Sequence, residues 1–260
     1  MAAMRRAALL ALSSLALSGE PEVRLPAASE ARKPVEGATA VNLTADGLIL
    51  VERDGKTVRV SLEQLALWLR ERKAASAKPP EMPVVIRADE KAPWLHVQRL
   101  VEACAGERIR RIEIGVKGAA GEEGRLLTPL SADAPAPEPR GGVAKVLVRI
   151  AVTKEEPAVW GPTQTAVGLP AEITYRIGEI ESKEFAVVRR FIRDAGQTAA
   201  ESGDTIKGDI APAAKVPWGV VVEALNEFRR AGIADVKFAR ADPSSTPEER
   251  RAPRLPYPAK

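Results

Sequence analysis

At 260 residues the chain has room for two domains of ordinary size, each on the order of 100 residues. Lys and Arg total 39 against 35 Asp and Glu, a formal charge of +4, but the signs are mixed along the body, with no long basic stripe of the kind that tracks a phosphate backbone. Cys104 is the only cysteine, which excludes an internal disulfide and any cysteine-based zinc or iron–sulfur site within one chain.

Arg5-Arg6 precedes an apolar run from Ala7 to Leu17 that only Ser13 and Ser14 interrupt, and small residues lead up to Gly19. This pattern reads as a secretory leader or a short anchor over residues 1–19. A spanning helix needs about 20 apolar residues, more than this run holds. Either reading puts the body on the outer, periplasmic side of the inner membrane. Residues 20–37 are rich in Pro, Ala and charge and read as a tether.

The first domain is expected over 38–127. It opens with Ala40 to Thr44. Asp46-Gly47 marks a turn into Leu48–Val51, and Asp54-Gly55 marks another before Val58–Val60. Ser61 caps a helix with apolar positions at Leu62, Leu65, Trp68 and Leu69. Val84–Ile86 is a buried strand ending at Ala88-Asp89. Pro93 stands where a helix begins, since its missing N–H costs nothing in a first turn, and that helix runs to about Ala105 before a strand over Arg110–Val116. The order reads strand, strand, helix, strand, helix, strand. The glycine-rich stretch Gly115 to Gly124 lacks phosphate-binding spacing and reads as a loop.

Residues 128–142 alternate Pro and Ala and form an extended, semi-rigid linker that lets two domains sit tens of ångströms apart. The second domain is expected over 143–241, with strands at Val146–Val152 and Ile173–Ile177 and a helix from about Lys183 to Asp194. A short strand near Ile206 leads to Gly208-Asp209 and a second Pro-Trp helix. Residues 242–260 read as a disordered tail.

The two Pro-Trp helices carry the strongest signal. An offset of 124 links Pro93-Trp94 to Pro217-Trp218, Val97 to Val221, Val101 to Leu225, Ile109 to Ile233 and Ile112 to Val236. An offset held across a helix and its following strand indicates two copies of one small domain. The expected fold is α/β (α+β): two tandem two-layer units, each a small mixed sheet with two helices on one face. Asp89 lies four residues before Pro93 and Asp209 eight before Pro217, which reads as a small insertion in the second copy.

No residue stands out as a catalyst. His96, the only histidine, has Val220 as its counterpart, so it serves no site common to both copies. Cys104 lies near the end of an apolar helix, the wrong end for a low-pKa thiolate. Asp89 and Asp209 read first as turn and cap residues, and Trp94 and Trp218 first as packing aromatics. As candidate partner contacts these four are the best in the chain, because loops before helices are accessible and Trp is enriched at interface hot spots. Arg189-Arg190, Arg229-Arg230 and Arg250-Arg251 read as solvated faces. No catalytic, cofactor-binding or metal-binding set is expected, and no cofactor.

Val84-Val85-Ile86-Arg87-Ala88-Asp89, the turn to Pro93-Trp94, the helix and Ile109-Arg110-Arg111-Ile112 resemble the periplasmic domain of ExbD/TolR biopolymer-transport proteins. The same holds for Val216-Pro217-Trp218-Gly219 and Arg230-Ala231-Gly232-Ile233. Val23-Arg24-Leu25-Pro26 is similar to the segment after that family's anchor, and Asn42 to Gly47 to its first hairpin. The resemblance implies a non-enzymatic inner-membrane accessory subunit working with an ExbB/TolQ-like channel subunit and TonB/TolA-like envelope proteins. It is compatible with a homodimer and with peripheral or single-anchor membrane association, and it implies no nucleic acid. The family's proton step uses an acidic residue in its membrane helix. Met1 to Gly19 contains no Asp or Glu, so that role is not carried over, and energy coupling is expected from a partner. Two other classes stay open: an exported hydrolase-like enzyme with a site assembled from distant segments, and a small α/β nucleic-acid binder.

Overall fold

A computed structural model describes residues 23–33, 37–76, 82–127, 143–155, 159–160, 166–167 and 170–239. The expected leader or anchor, the linker at 128–142 and the tail at 242–260 lie outside the described residues.

Turn chemistry starts the first sheet. Gly47 takes a φ of 83°, and Asp54 and Gly55 take 53° and 71°, the left-handed pair that closes a two-residue hairpin. The turns join β1 (Thr39–Leu43), β2 (Ile49–Arg53) and β3 (Lys56–Val60) into an antiparallel meander with Val41 opposite Val51 and Val51 opposite Val58. Three strands therefore precede the first helix, one more than the sequence order allowed, because Lys56–Val60 finds a full partner in β2. Ser61 then caps α1 (Leu62–Ala75): the Gln64 N–H donates to Ser61 Oγ while the Ser61 N–H donates to Gln64 Oε1, a complete capping box.

β4 (Pro83–Ala88), α2 (Trp94–Gly106) and β5 (Arg111–Lys117) follow. β4 runs parallel to both β1 and β5. The stretch read as a glycine-rich loop is a turn at 118–122 with sheet at both ends. Gly115 lies in β5 and Gly124 in β6 (Glu123–Leu127), its antiparallel partner. The sheet order is β3-β2-β1-β4-β5-β6.

The second sheet repeats this plan with one strand fewer. β7 (Val143–Glu155) pairs antiparallel with β10 (Pro170–Ile177), and β10 with β11 (Ile180–Ser182). Between β7 and β10 lies a small ladder of β8 (Val159–Trp160) and β9 (Ala166–Val167). α3 (Phe185–Ser202) runs eight residues past its expected end and stops at Gly203, where φ is 73°, a glycine stop in the left-handed region. β12 (Thr205–Pro212), α4 (Trp218–Arg230) and β13 (Val236–Phe238) complete the order β11-β10-β7-β12-β13, with β7, β12 and β13 parallel.

In each half the helices pack together and onto one face of the sheet. The halves are not held apart. Their buried residues form one continuous apolar cluster that runs from Val41 and Leu65 through Trp94 and Trp218 to Ile192 and Val236. The separation expected from the linker composition is therefore corrected: packing between the domains overrides whatever reach the spacer allows.

Candidate protein-contact interface

Pro93 and Pro217 set almost the same backbone, with φ of −61° at both and ψ of 138° and 140°. Neither offers a side-chain cap, so the first N–H groups of α2 and α4 need acceptors from elsewhere. They find them in each other's half. Trp94 N–H donates to the Val216 carbonyl at 2.8 Å, and Leu95 N–H to Ala214 at 3.0 Å. Reciprocally, Trp218 N–H donates to Ala92 at 2.8 Å, and Gly219 N–H to Glu90 at 2.8 Å. Each donor and each acceptor is separated from its counterpart by the same offset of 124. Contacts in which residue i meets j while the counterpart of j meets that of i are isologous, as across a two-fold axis.

The tryptophans seal this junction. Their rings stack at 5.7 Å between centroids with 15° between planes, and Phe238 tilts against Trp94 at 5.1 Å. Trp94 is 2% and Trp218 1% exposed. Both do make a contact, but with each other across the halves. Gly219 fits because a Cβ there would lie 3.1 Å from the Glu90 carbonyl oxygen, the acceptor of its own N–H.

Asp89 fastens a strap. It is buried, with Oδ2 accepting the Arg24 N–H at 2.8 Å and Oδ1 the Lys91 N–H at 2.9 Å. Residues 23–33 run from there along the first sheet, exchanging backbone hydrogen bonds between Arg32 and Arg125. They then hook onto α4, where Glu30 N–H donates to Asn226 Oδ1 at 3.2 Å and Arg230 Nε to Ser29 Oγ at 2.8 Å.

Asp209 does not match Asp89. It sits within β12, paired to Lys145 Nζ on β7 at 2.5 Å. The residue in Asp89's place is Ala213, whose carbonyl accepts from Val216 N–H as that of Asp89 accepts from Ala92 N–H. The expected insertion is therefore absent from this turn. The misreading came from aligning the two aspartates rather than keeping the offset.

The arginine pairs also need correction. Arg189 Nε on α3 lies 3.3 Å from Glu227, Arg193 Nη2 3.4 Å and Arg230 Nη1 2.5 Å, and the Glu227 side chain is 1% exposed. These part-exposed cations neutralise a buried carboxylate, whereas Arg190, paired to Asp194 at 3.7 Å, is a solvated face as expected. Burial raises the pKa of neighbouring Glu223 against the opposing pull of Arg189. Glu113 in β5 is likewise fully buried between Arg111 and Arg125. The signal for the Glu227 cluster was available: Arg189 and Arg193 share one face of α3, while Glu223, Glu227 and Arg230 share one face of α4. Residues 250–251 lie outside the described residues.

His96 is half-buried, its ring occupying the space that a side chain at Gly47 would need. Burial, and secondarily the Arg99 charge, hold its pKa below the usual value. Cys104 is fully buried, and burial pushes its thiol up to about 12, so it is not a nucleophile near neutral pH. Among the described residues no group of His, Cys, Asp and Glu could hold a metal ion, and no helix is long and apolar enough to cross a membrane.

Residues 7–119 match the family model described as biopolymer transport protein ExbD/TolR. No curated protein and no solved structure matches the chain.

Proposed function

From the membership of residues 7–119 in the ExbD/TolR family, we propose that the chain is a non-enzymatic component of an envelope biopolymer-transport system. It acts by protein contact on the periplasmic face of the inner membrane, and residues 143–241 are a second copy of the family's domain. The family is transport-associated and non-enzymatic, usually anchored in the inner membrane, and generally works with ExbB/TolQ and TonB/TolA proteins.

One observation carries the reading of contact rather than chemistry. The residues with the most conspicuous side chains hold the chain together: Trp94 and Trp218 join the halves, Asp89 ties down the strap, and Glu113 and Glu227 are matched by arginines. The reciprocal capping supports the duplication, since equivalent residues answer each other across the junction. The chain on this reading presents a fixed pair of domains to its partners. A channel subunit of the ExbB/TolQ type supplies the proton-driven step.

The test is an activity reporter fused after Lys260, combined with co-purification from envelope extracts. A reporter active only outside the inner membrane, with a channel subunit of that type recovered alongside, is expected. Cytoplasmic recovery with Met1 to Gly19 intact refutes the location, and recovery without any such subunit refutes the partnership.

A further inference from the structure

Exposed large apolar side chains are few among the described residues, and they fall in two corresponding places. Val58 and Leu67 flank the groove between β3 and α1, which Val51 and Trp68 also line and which Arg53, Arg59, Gln64 and Glu71 rim. Ile180, Val187 and Phe191 flank the groove between β11 and α3, which Tyr175 and Val188 also line. β3 and β11 are the outermost strands of their sheets at corresponding ends of the strand order. An edge strand beside an apolar groove offers both unpaired backbone groups and a place for side chains.

The two edges carry opposite charge. β3 and the turn before it hold Asp54, Lys56 and Arg59; β11 and its flanks hold Glu179, Glu181, Lys183 and Glu184, with Lys183 already paired to Glu172 on β10, so the first edge is net positive and the second net negative. Register assigns the faces. Val58 lies opposite buried Val51 and Ile180 opposite buried Ile177, so both point to the helix side. Arg59 and Glu181 therefore alternate to the opposite face, where neither makes an ion pair among the described residues, although Glu181 stands across the ladder from Arg176 on β10. Two β3 edges brought together would set like charges side by side, as would two β11 edges. A β3 edge against a β11 edge matches apolar to apolar on one face and Arg59 to Glu181 on the other. Antiparallel pairing also keeps both helix layers on the same side of the joined sheet.

We propose that copies of this chain associate head to tail, the β3–α1 groove of one receiving the β11–α3 groove of the next. Such a contact is heterologous: it grows as an open series unless the rotation from one copy to the next closes it into a ring. The proposal does not depend on the transport reading.

Sedimentation velocity of the full chain tests it, from about 1 μM to about 1 mM, the span over which small interfaces dissociate. Expected is a weight-average sedimentation coefficient that keeps rising with concentration and falls with added salt. Arg59→Glu alone and Glu181→Arg alone should each weaken association at least about tenfold. An equimolar mixture of the two variants should recover it, and so should the double variant, because opposite charges again face each other. Circular dichroism checks that the variants, altered only at exposed positions, keep the fold. A wild-type chain that stays a single species at the highest concentration overturns the proposal. So does a charge-swapped mixture that fails to recover.

Discussion

Trp94 and Trp218 stack with each other in a site that neither half could close alone, so their substitution reads out the junction directly. Trp218→Ala should lower the stability of the full chain by about 3–5 kcal/mol in denaturant unfolding, the usual cost of emptying a buried aromatic site. The double variant Trp94→Ala, Trp218→Ala should cost less than the two single losses together, with a coupling of about 0.5–3 kcal/mol. Strict additivity would mean that the stacking contributes nothing. His96 makes a second test at this scale, and a clean one because the chain has no other histidine. Burial and Arg99 lower its folded pKa, so the native state favours the neutral ring. That contribution is fully present above the unfolded value of about 6.5 and is lost as pH falls through the folded value. The stability difference between wild type and His96→Gln should therefore shrink from pH 7.5 toward pH 5, as followed by urea midpoints. A constant difference contradicts the assignment. From sequence alone the tryptophans were visible but their partner was not, because period and spacing say which face is buried and not what covers it.

At the scale of elements, the strap over 23–33 and the helix pair α3–α4 decide how the halves are held. Asp89→Ala removes the acceptor of two backbone N–H groups and should cost about 1–3 kcal/mol. Hydrogen exchange should rise first at residues 24–32; protection unchanged there would show that the strap is held by its sheet pairing alone. Gly196 on α3 lies against the carbonyl of Ala231 past the end of α4. Gly196→Val should therefore force the helices apart at a cost of about 1–3 kcal/mol, seen as a lowered midpoint in thermal unfolding. The elements legible in the sequence were those with local causes: the Ser61 cap, the Asp54-Gly55 turn, and the proline starts of α2 and α4. Among those missed, β6 and β11 are short edge strands. Glu123–Leu127 and Ile180–Ser182 carry little period of their own and become strands only because β5 and β10 offer them an edge.

At the scale of the molecule, the two large sheets among the described residues have like strand order and are joined through helix starts 124 residues apart, with one apolar core running across the junction. The offset of 124 was plain in the residues and foretold two units of like topology. It did not foretell that the units would face each other, since a composition that suits a spacer says nothing about what the domains do once joined. Intact halves held by their own contacts should not need the linker. The most direct measurement is to place a protease site within residues 128–142, cut the purified chain, and follow the fragments by size-exclusion chromatography with light scattering. Both fragments should elute together as a one-to-one complex of unchanged mass, and the same cut in the Trp94→Ala, Trp218→Ala chain should release them. Fragments that separate in the wild-type chain, each folded and with unaltered tryptophan fluorescence, would contradict the junction and with it the view of this chain as a fixed pair.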